Sequence, residues 1–352
     1  MAVGLPLKTT YANGDVYSAS DVNDTNGTIN AFLSAGSTAG KNAIINGAME
    51  IAQRGTSFTN VNGYSVDRWY VNRNGAVAGC TASQSTDVPT GFQFSLKTQR
   101  VAGNTGTQSI DMYYGVESKD SYRFRSQAAT LSFYAKVGAN YSGGASGLTA
   151  RILSGTATDA APYSGSTTVA TSSPALTTTW TRFTVTGTFG ASITQAFVQF
   201  GWSPTGTAGA DDSVFITGVQ LEIGSTATTF SRAGGTIQGE LAACQRYYWR
   251  LASGGAEAIG NGNAYNSGQM QCIVQYPVAM RIAPSLDQTT GTDYYRFIRN
   301  NGTDGFNSFT IDGPSVNSTN LFNNTQISST GGDAGVIFTN NASAYLAFNA
   351  EL

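Results

Sequence analysis

The chain contains no histidine. That removes Ser-His-Asp and Cys-His nucleophile pairs and the HExxH metal site, and leaves carboxylate or lysine chemistry as the remaining catalytic means. Cleavage of a glycosidic bond needs two carboxyl groups flanking it. Asp111, Glu117 and Asp120 are candidate acids, although no spacing marks them as a set. Asp211, Asp212 and Glu222 offer the hard oxygens that a structural calcium ion requires. Neighbouring strand residues point to opposite faces, so only one of the two aspartates readily joins a given site, and a solvated turn is the preferred reading. The expectation is a non-enzyme with no catalytic residues, no metal and no cofactor.

Binding chemistry is better represented. Asp67-Arg68-Trp69 could hold a sugar, the indole stacked on the ring and the charges bonded to hydroxyls. A Trp in an early strand is more often core, its acid and base fixing a corner, and core is the expected role here. Tyr247, Tyr248 and Trp249 are expected to pack on their own sheet or on another subunit. Tyr294, Tyr295, Phe297, Phe306 and Phe309, set among Asn-rich loops such as NNGTDGFNS, are taken as exposed rings and as the ligand-binding surface, since aromatic rings and amides make adaptable contacts. Cys80, Cys244 and Cys272 are odd in number and lack CxxC spacing, which supports neither a disulfide framework nor a zinc site, so buried free thiols are expected.

What must position these groups is an all-β body. Of 352 residues 40% are apolar and only 11% charged, with 42 glycines; such a chain keeps its surface wet with hydroxyls and amides and is rich in turn formers. Alternation in FQFSLKTQRV, ATLSFYAKV, TWTRFTVTGTF, QAFVQFGW and SVFITGVQLEIG belongs to about eight to ten short runs, the pattern of a jelly-roll β-sandwich over residues 41–235. Residues 236–352 open with TIQGELAACQRYYWRL, a short helix or strand start with Ile237, Leu241, Cys244, Tyr248 and Leu251 on one face, and continue as a C-terminal β-rich domain. Residues 1–40 read as an arm followed by a short amphipathic helix carrying Val22, Ile29, Phe32 and Leu33, a device for attachment or oligomerisation that needs partners for stability.

A net charge of −2 argues against a phosphate-tracking surface, so no nucleic-acid partner is expected. No apolar run approaches the roughly 18 residues of a transmembrane helix, and the start lacks the features of a signal peptide. Host lysis is then the expected route to the exterior.

Three stretches carry a resemblance. NAIINGAMEIAQRGTSF (residues 42–58) with YSVDRWYV (64–71) looks like the start of the jelly-roll modules, related in architecture to carbohydrate-binding modules, of bacteriophage and prophage fibre proteins. VQLEIGSTATTFSRAGGTIQGELAACQRYYWRL (219–251) resembles the end of that module running into a C-terminal fibre domain, and VQYPVAMRIAPSL (274–286) continues it. GDVYSASDVNDTNGTINAF (14–32) is similar to virion-attachment segments. The resemblance implies a structural virion protein assembled in the host cytoplasm. It would be a homotrimeric tail or head fibre, bound to other phage proteins through residues 1–40, that adheres to a bacterial surface glycan or protein. A capsid decoration with a cementing role is the alternative, and a polysaccharide depolymerase the third. The Asn-Gly breaks of residues 42–58 are expected to punctuate hairpins, since no phosphate-loop lysine accompanies them.

Overall fold

The computed structural model describes residues 40–74, 79–144, 147–161, 164–300 and 302–352. The attachment residues expected from sequence, Val22, Ile29, Phe32 and Leu33, lie outside the described residues.

The first sandwich is formed by β1 (Ser57–Thr59), β2 (Gly63–Tyr64), β3 (Tyr70–Asn72), β4 (Cys80–Ser85), β5 (Ser95–Arg100), β6 (Ile110–Gly115), a single helical turn α1 (Ser118–Ser121), then β7 (Ala128–Val137), β8 (Thr149–Gly155), β9 (Thr167–Ser172), β10 (Thr181–Thr188), β11 (Gln195–Trp202) and β12 (Asp212–Ile223). Its two six-stranded sheets have the orders β1-β4-β5-β12-β7-β10 and β2-β3-β6-β11-β8-β9. From β5 to β8 and again from β10 to β12, successive strands change sheet, which makes a jelly roll. Period-two patterning fills the space between the sheets. In β11, Ala196, Val198, Phe200 and Trp202 enter the core, while Gln195, Phe197, Gln199 and Gly201 take the opposite face. Phe200 meets Phe133 of the facing sheet edge-on, 4.7 Å between ring centroids.

In β12 the core residues are Val214, Ile216, Val219 and Leu221, a series whose parity slips between Ile216 and Val219. The slip is a β-bulge, with a register shift between Thr217 and Gln220 and Gly218 at φ +60°. A β-carbon at Gly218 would lie 2.6 Å from the Phe92 ring, so both backbone and packing call for glycine there.

Residues 42–53, expected to be punctuated by hairpin turns, instead make an irregular segment held on the bulge of β12 by Asn42 and by backbone bonds from Ala43 to Leu221 and from Val219 to Gly47, and tied within itself by Asn46. Asn42 donates to the Val219 carbonyl (3.0 Å) and accepts from Ile44 and Leu221. Asn46 donates to the carbonyls of Ile51 and Asp67 and accepts from the Ile51 N–H. The Asn46-Gly47 pair therefore joins no hairpin. A β-carbon at Gly47 would sit 2.1 Å from the Val219 oxygen, which shows how closely this segment is pressed onto β12.

The second part begins with α2 (Ile237–Gln245), capped by Thr236, whose hydroxyl accepts from the Gly239 N–H. The strands that follow are β13 (Tyr248–Ser253), β14 (Ala258–Asn266), β15 (Gln269–Gln275), β16 (Ser285–Gln288), β17 (Tyr295–Arg299), β18 (Gly302–Phe306), β19 (Thr310–Asp312), β20 (Ser318–Asn323), β21 (Ala334–Thr339) and β22 (Tyr345–Asn349). They pair as β13-β22-β16 and β18-β17-β21-β14-β15-β20-β19 around a second core. The apolar face expected along residues 237–251 does not form. The helix ends before Tyr248, buries Glu240 and Cys244, and leaves Ile237 and Leu241 41% and 36% exposed. Glu240 is drawn inward because its carboxylate accepts the backbone N–H groups of Asn46 and Gly234. Among the described residues no helix is long and apolar enough to cross a membrane.

The two parts meet across a seam of buried charge. Arg68 pairs with Glu351, donates to the Gly115 carbonyl (2.8 Å) and lies 3.6 Å over the Tyr247 ring. Arg54 pairs with the same Glu351 and covers Tyr248. Glu117 accepts two hydrogen bonds from Arg246 and one from the Tyr247 hydroxyl. Trp69 is wholly buried beneath this seam and donates to the Asn46 carbonyl, in agreement with a core role.

Candidate functional site

On the outer face of the second sheet the same alternation that builds the core lays down polar rows. Register aligns Asn72, Asp111, Gly201 and Thr149 in one row and Tyr70, Tyr113, Gln199 and Arg151 in the next. Gly201 is what lets Asp111 lie flat across the sheet, since a β-carbon there would come within 2.1 Å of the carboxylate. From these rows Asp111, Gly201, Thr149, Gln199 and Arg151, together with Gly144, Gly147 and Ser203–Thr205, line an open cleft of about 500 Å³.

Gln199 is the hub of the floor. Its amide nitrogen donates to Asp111 Oδ1 (3.0 Å) and to the Tyr113 hydroxyl (2.9 Å), and its Oε1 accepts from Arg151 Nη1 (2.9 Å). The second Asp111 oxygen accepts from Asn74 Nδ2 and from Ser109 Oγ (3.2 Å). Burial pushes the Asp111 carboxyl above the usual carboxylate range, and the hydrogen bonds from Asn74, Gln199 and Ser109 with the nearby Arg151 charge offset only part of that. Such a floor is a fixed array of donors and acceptors, preorganised before any ligand arrives.

The cleft wall is held from behind by Arg100. Its guanidinium and the Asp212 carboxylate are both 0% exposed. Arg100 Nε donates to Asp212 Oδ2 (2.7 Å), Nη1 to the carbonyls of Asn104, Gly106 and Gly206, and Nη2 to Ser142 Oγ (2.9 Å). Asp212 in turn accepts from the Ser142 N–H and hydroxyl, both 2.8 Å. One buried ion pair thus ties three loops together, and Ser142 passes the constraint on through its carbonyl to Thr205 on the rim.

The sequence-predicted groups fall as follows. Asp212 sits in no solvated turn: the cation it holds is Arg100, while Asp211 faces outward onto Lys97. Glu222 is also buried, bonded to Thr228 and Gln220 and paired with Lys41. Of the three candidate acids only Asp111 reaches the cleft. Glu117 belongs to the seam and Asp120 to an exposed turn. Six residues of near-extended chain separate Asp111 from Glu117 by about 20 Å, too far for the roughly 5–9.5 Å of a glycosidase pair. Cys80, Cys244 and Cys272 are buried free thiols.

The aromatic cluster near the C-terminus is not exposed. Tyr295, Phe297, Phe306 and Phe309 are buried in the second core, and Tyr294 is half-buried against it. Tyr295, Phe306 and Phe309 form a mutual triangle with centroids 4.8 to 5.7 Å apart, and the Tyr295 hydroxyl is used by the carbonyls of Thr289 and Tyr345. Rings so enclosed cannot stack on a sugar. Tyr247 and Tyr248 are likewise buried, and Trp249 stacks on Phe348. The cleft residues Asn74, Ser109, Arg151 and Gln199 were not singled out in sequence. The available signal was a glutamine on the outward parity of the apolar run QAFVQFGW.

Fold and cleft define an all-β jelly-roll protein with a preformed polar groove on one sheet. No family model matches the sequence, and no curated protein does. Among solved structures, the enzymatically active domain of bacteriophage CBA120 tailspike protein 4 is similar over 52% of this chain and 21% of that chain, at 14% identity and a TM-score of 0.35. A carbohydrate-binding module described as CBM4 is similar over 51% of this chain and 98% of its own, at 18% identity and 0.32. The tandem CBM22-1-CBM22-2 domain of Paenibacillus barcinonensis Xyn10C covers 90% of this chain and 99% of its own, at 10% identity and 0.33. At such identities and scores a likeness says nothing about what this chain binds.

Proposed function

We propose that this protein is a non-catalytic adhesin of a bacteriophage particle, a trimeric fibre that holds a bacterial surface glycan in the cleft of its first sandwich. The observation that carries the binding reading is the Gln199 hub: a recessed row of fixed donors and acceptors suits the hydroxyls of a saccharide, and a single carboxylate in the lining suits retention better than cleavage. The virion setting is supported by the resemblance of residues 42–58, 64–71 and 219–251 to fibre proteins, and these are the segments that cement the sandwich to the C-terminal domain. Weak contacts in each cleft become useful through avidity when three copies engage one surface.

The test is binding of the purified full chain to bacterial cells and to their extracted polysaccharide, beside Gln199→Ala and with the sedimentation mass measured. Binding that falls at least tenfold in the variant, from an oligomer of three chains, is the expected result. Undiminished binding by Gln199→Ala refutes the cleft, and shortening of the glycan refutes the non-catalytic reading. A monomer refutes the trimer. A folded trimer that ignores every surface glycan belongs to a decorating role on the particle.

A further inference from the structure

The floor of the cleft is unevenly satisfied. Asp111 has both oxygens occupied, Oδ1 by Gln199 and Oδ2 by Asn74 and Ser109. Arg151 spends one N–H on Gln199 Oε1 and forms no ion pair among the described residues. Its register neighbours are Gln199 and Thr171, neither of them acidic, and the nearby Asp111 carboxylate takes its hydrogen bonds from Gln199, Asn74 and Ser109 instead. The remainder of a planar five-donor fork therefore lines the groove. Among the described residues no aromatic ring belongs to the lining, so these residues offer a sugar face no ring to stack on. A ligand has to be recognised by hydrogen bonds and charge.

From this we infer that the cleft selects an acidic saccharide, whose oxyanion is taken by the Arg151 guanidinium, held in place by Gln199, while Ser203 and Thr205 meet its hydroxyls. The inference rests on the glycan-binding reading above. An arginine fork matches a carboxylate or phosphate in two parallel hydrogen bonds, which lysine as a point charge does not reproduce. Asp111, the one acidic side chain lining the cleft among the described residues, already has both oxygens committed to Gln199, Asn74 and Ser109.

Saturation-transfer NMR on the full chain compares glucuronate, glucose 6-phosphate and glucose as free probes, with Arg151→Met, Arg151→Lys and the unaltered protein, each checked for an unchanged melting curve. An array of acidic and neutral bacterial capsular polysaccharides runs beside it. The expected result is transfer to glucuronate or glucose 6-phosphate about tenfold above glucose, lost in Arg151→Met, partly kept in Arg151→Lys and reduced by salt. The stronger of the two anions identifies carboxylate or phosphate as the source. Equal transfer to glucose, unaffected by Arg151→Met, overturns charge selection and leaves the glycan-binding reading intact. Silence of all three probes and of the whole array overturns both.

Discussion

Removal of the Arg100 side chain is the most telling perturbation of this fold. Arg100→Met deletes the hydrogen bonds to Asp212, Ser142 and the carbonyls of Asn104, Gly106 and Gly206, and leaves Asp212 fully buried with only the Ser142 N–H and hydroxyl as donors. Breaking a buried pair from one side costs about 3–5 kcal/mol, because the remaining charge has lost its partner. With a urea slope of about 3 kcal/mol per M, the midpoint for the sandwich moves down by roughly 1–1.7 M. The readout is tryptophan fluorescence: Trp202 is buried beside this network and donates to Thr98 of the strand that carries Arg100. Arg100→Met with Asp212→Leu removes both charges and is expected to recover more than half of the loss. Saccharide binding falls in the single variant as well, since the loops behind Thr205 are no longer tied. A midpoint within about 0.3 M of the unaltered protein, or a double variant no better than the single one, refutes the claim that this ion pair holds the wall.

Two further predictions concern the seam and the second core. Burial alone would raise the Glu117 carboxyl, but hydrogen bonds from Arg246, Tyr247 and Lys119 outweigh it and hold it below its ordinary value of 4.5. Its contribution is therefore complete above that pH and is lost as pH falls through the lower folded value, so stability drops more steeply below pH 4.5 in the unaltered protein than in Glu117→Gln; identical pH dependence of the two melting points refutes this. Phe306→Ala opens a cavity among Tyr295 and Phe309 and lowers the stability of the C-terminal domain by about 3–5 kcal/mol, with the affinity of the cleft for saccharide unchanged. Loss of binding without loss of stability would return that cluster to the ligand surface.

Strand periodicity depends on local alternation alone, and so the all-β architecture is legible in the residues themselves. Runs such as QAFVQFGW announce which side faces the core, and even the bulge at Gly218 is written in the three-residue step from Ile216 to Val219. Trp69 was placed correctly from the usual burial of such a Trp, and the three thiols from their odd number and spacing. Tyr295, Phe297, Phe306 and Phe309 were not, because amide-rich loops around an aromatic cluster look alike whether the rings face solvent or a facing sheet. Which neighbour covers a side chain is a long-range property.

The same limit hid the cleft. Asn74, Asp111, Arg151 and Gln199 come from separate positions along the chain and become one floor only when β6, β8 and β11 pair in register. The sequence by itself determined the kind of elements, their inward faces and the lack of histidine chemistry. Tertiary structure alone decided that Asp212 meets Arg100 instead of solvent, that Glu240 turns inward, and that the aromatic tip is a core. For Asp212 and Glu240 the outcome depends on a partner more than a hundred residues away, whose charge or backbone offsets a burial that local sequence would forbid. For the aromatic cluster it depends on the second core that closes over it.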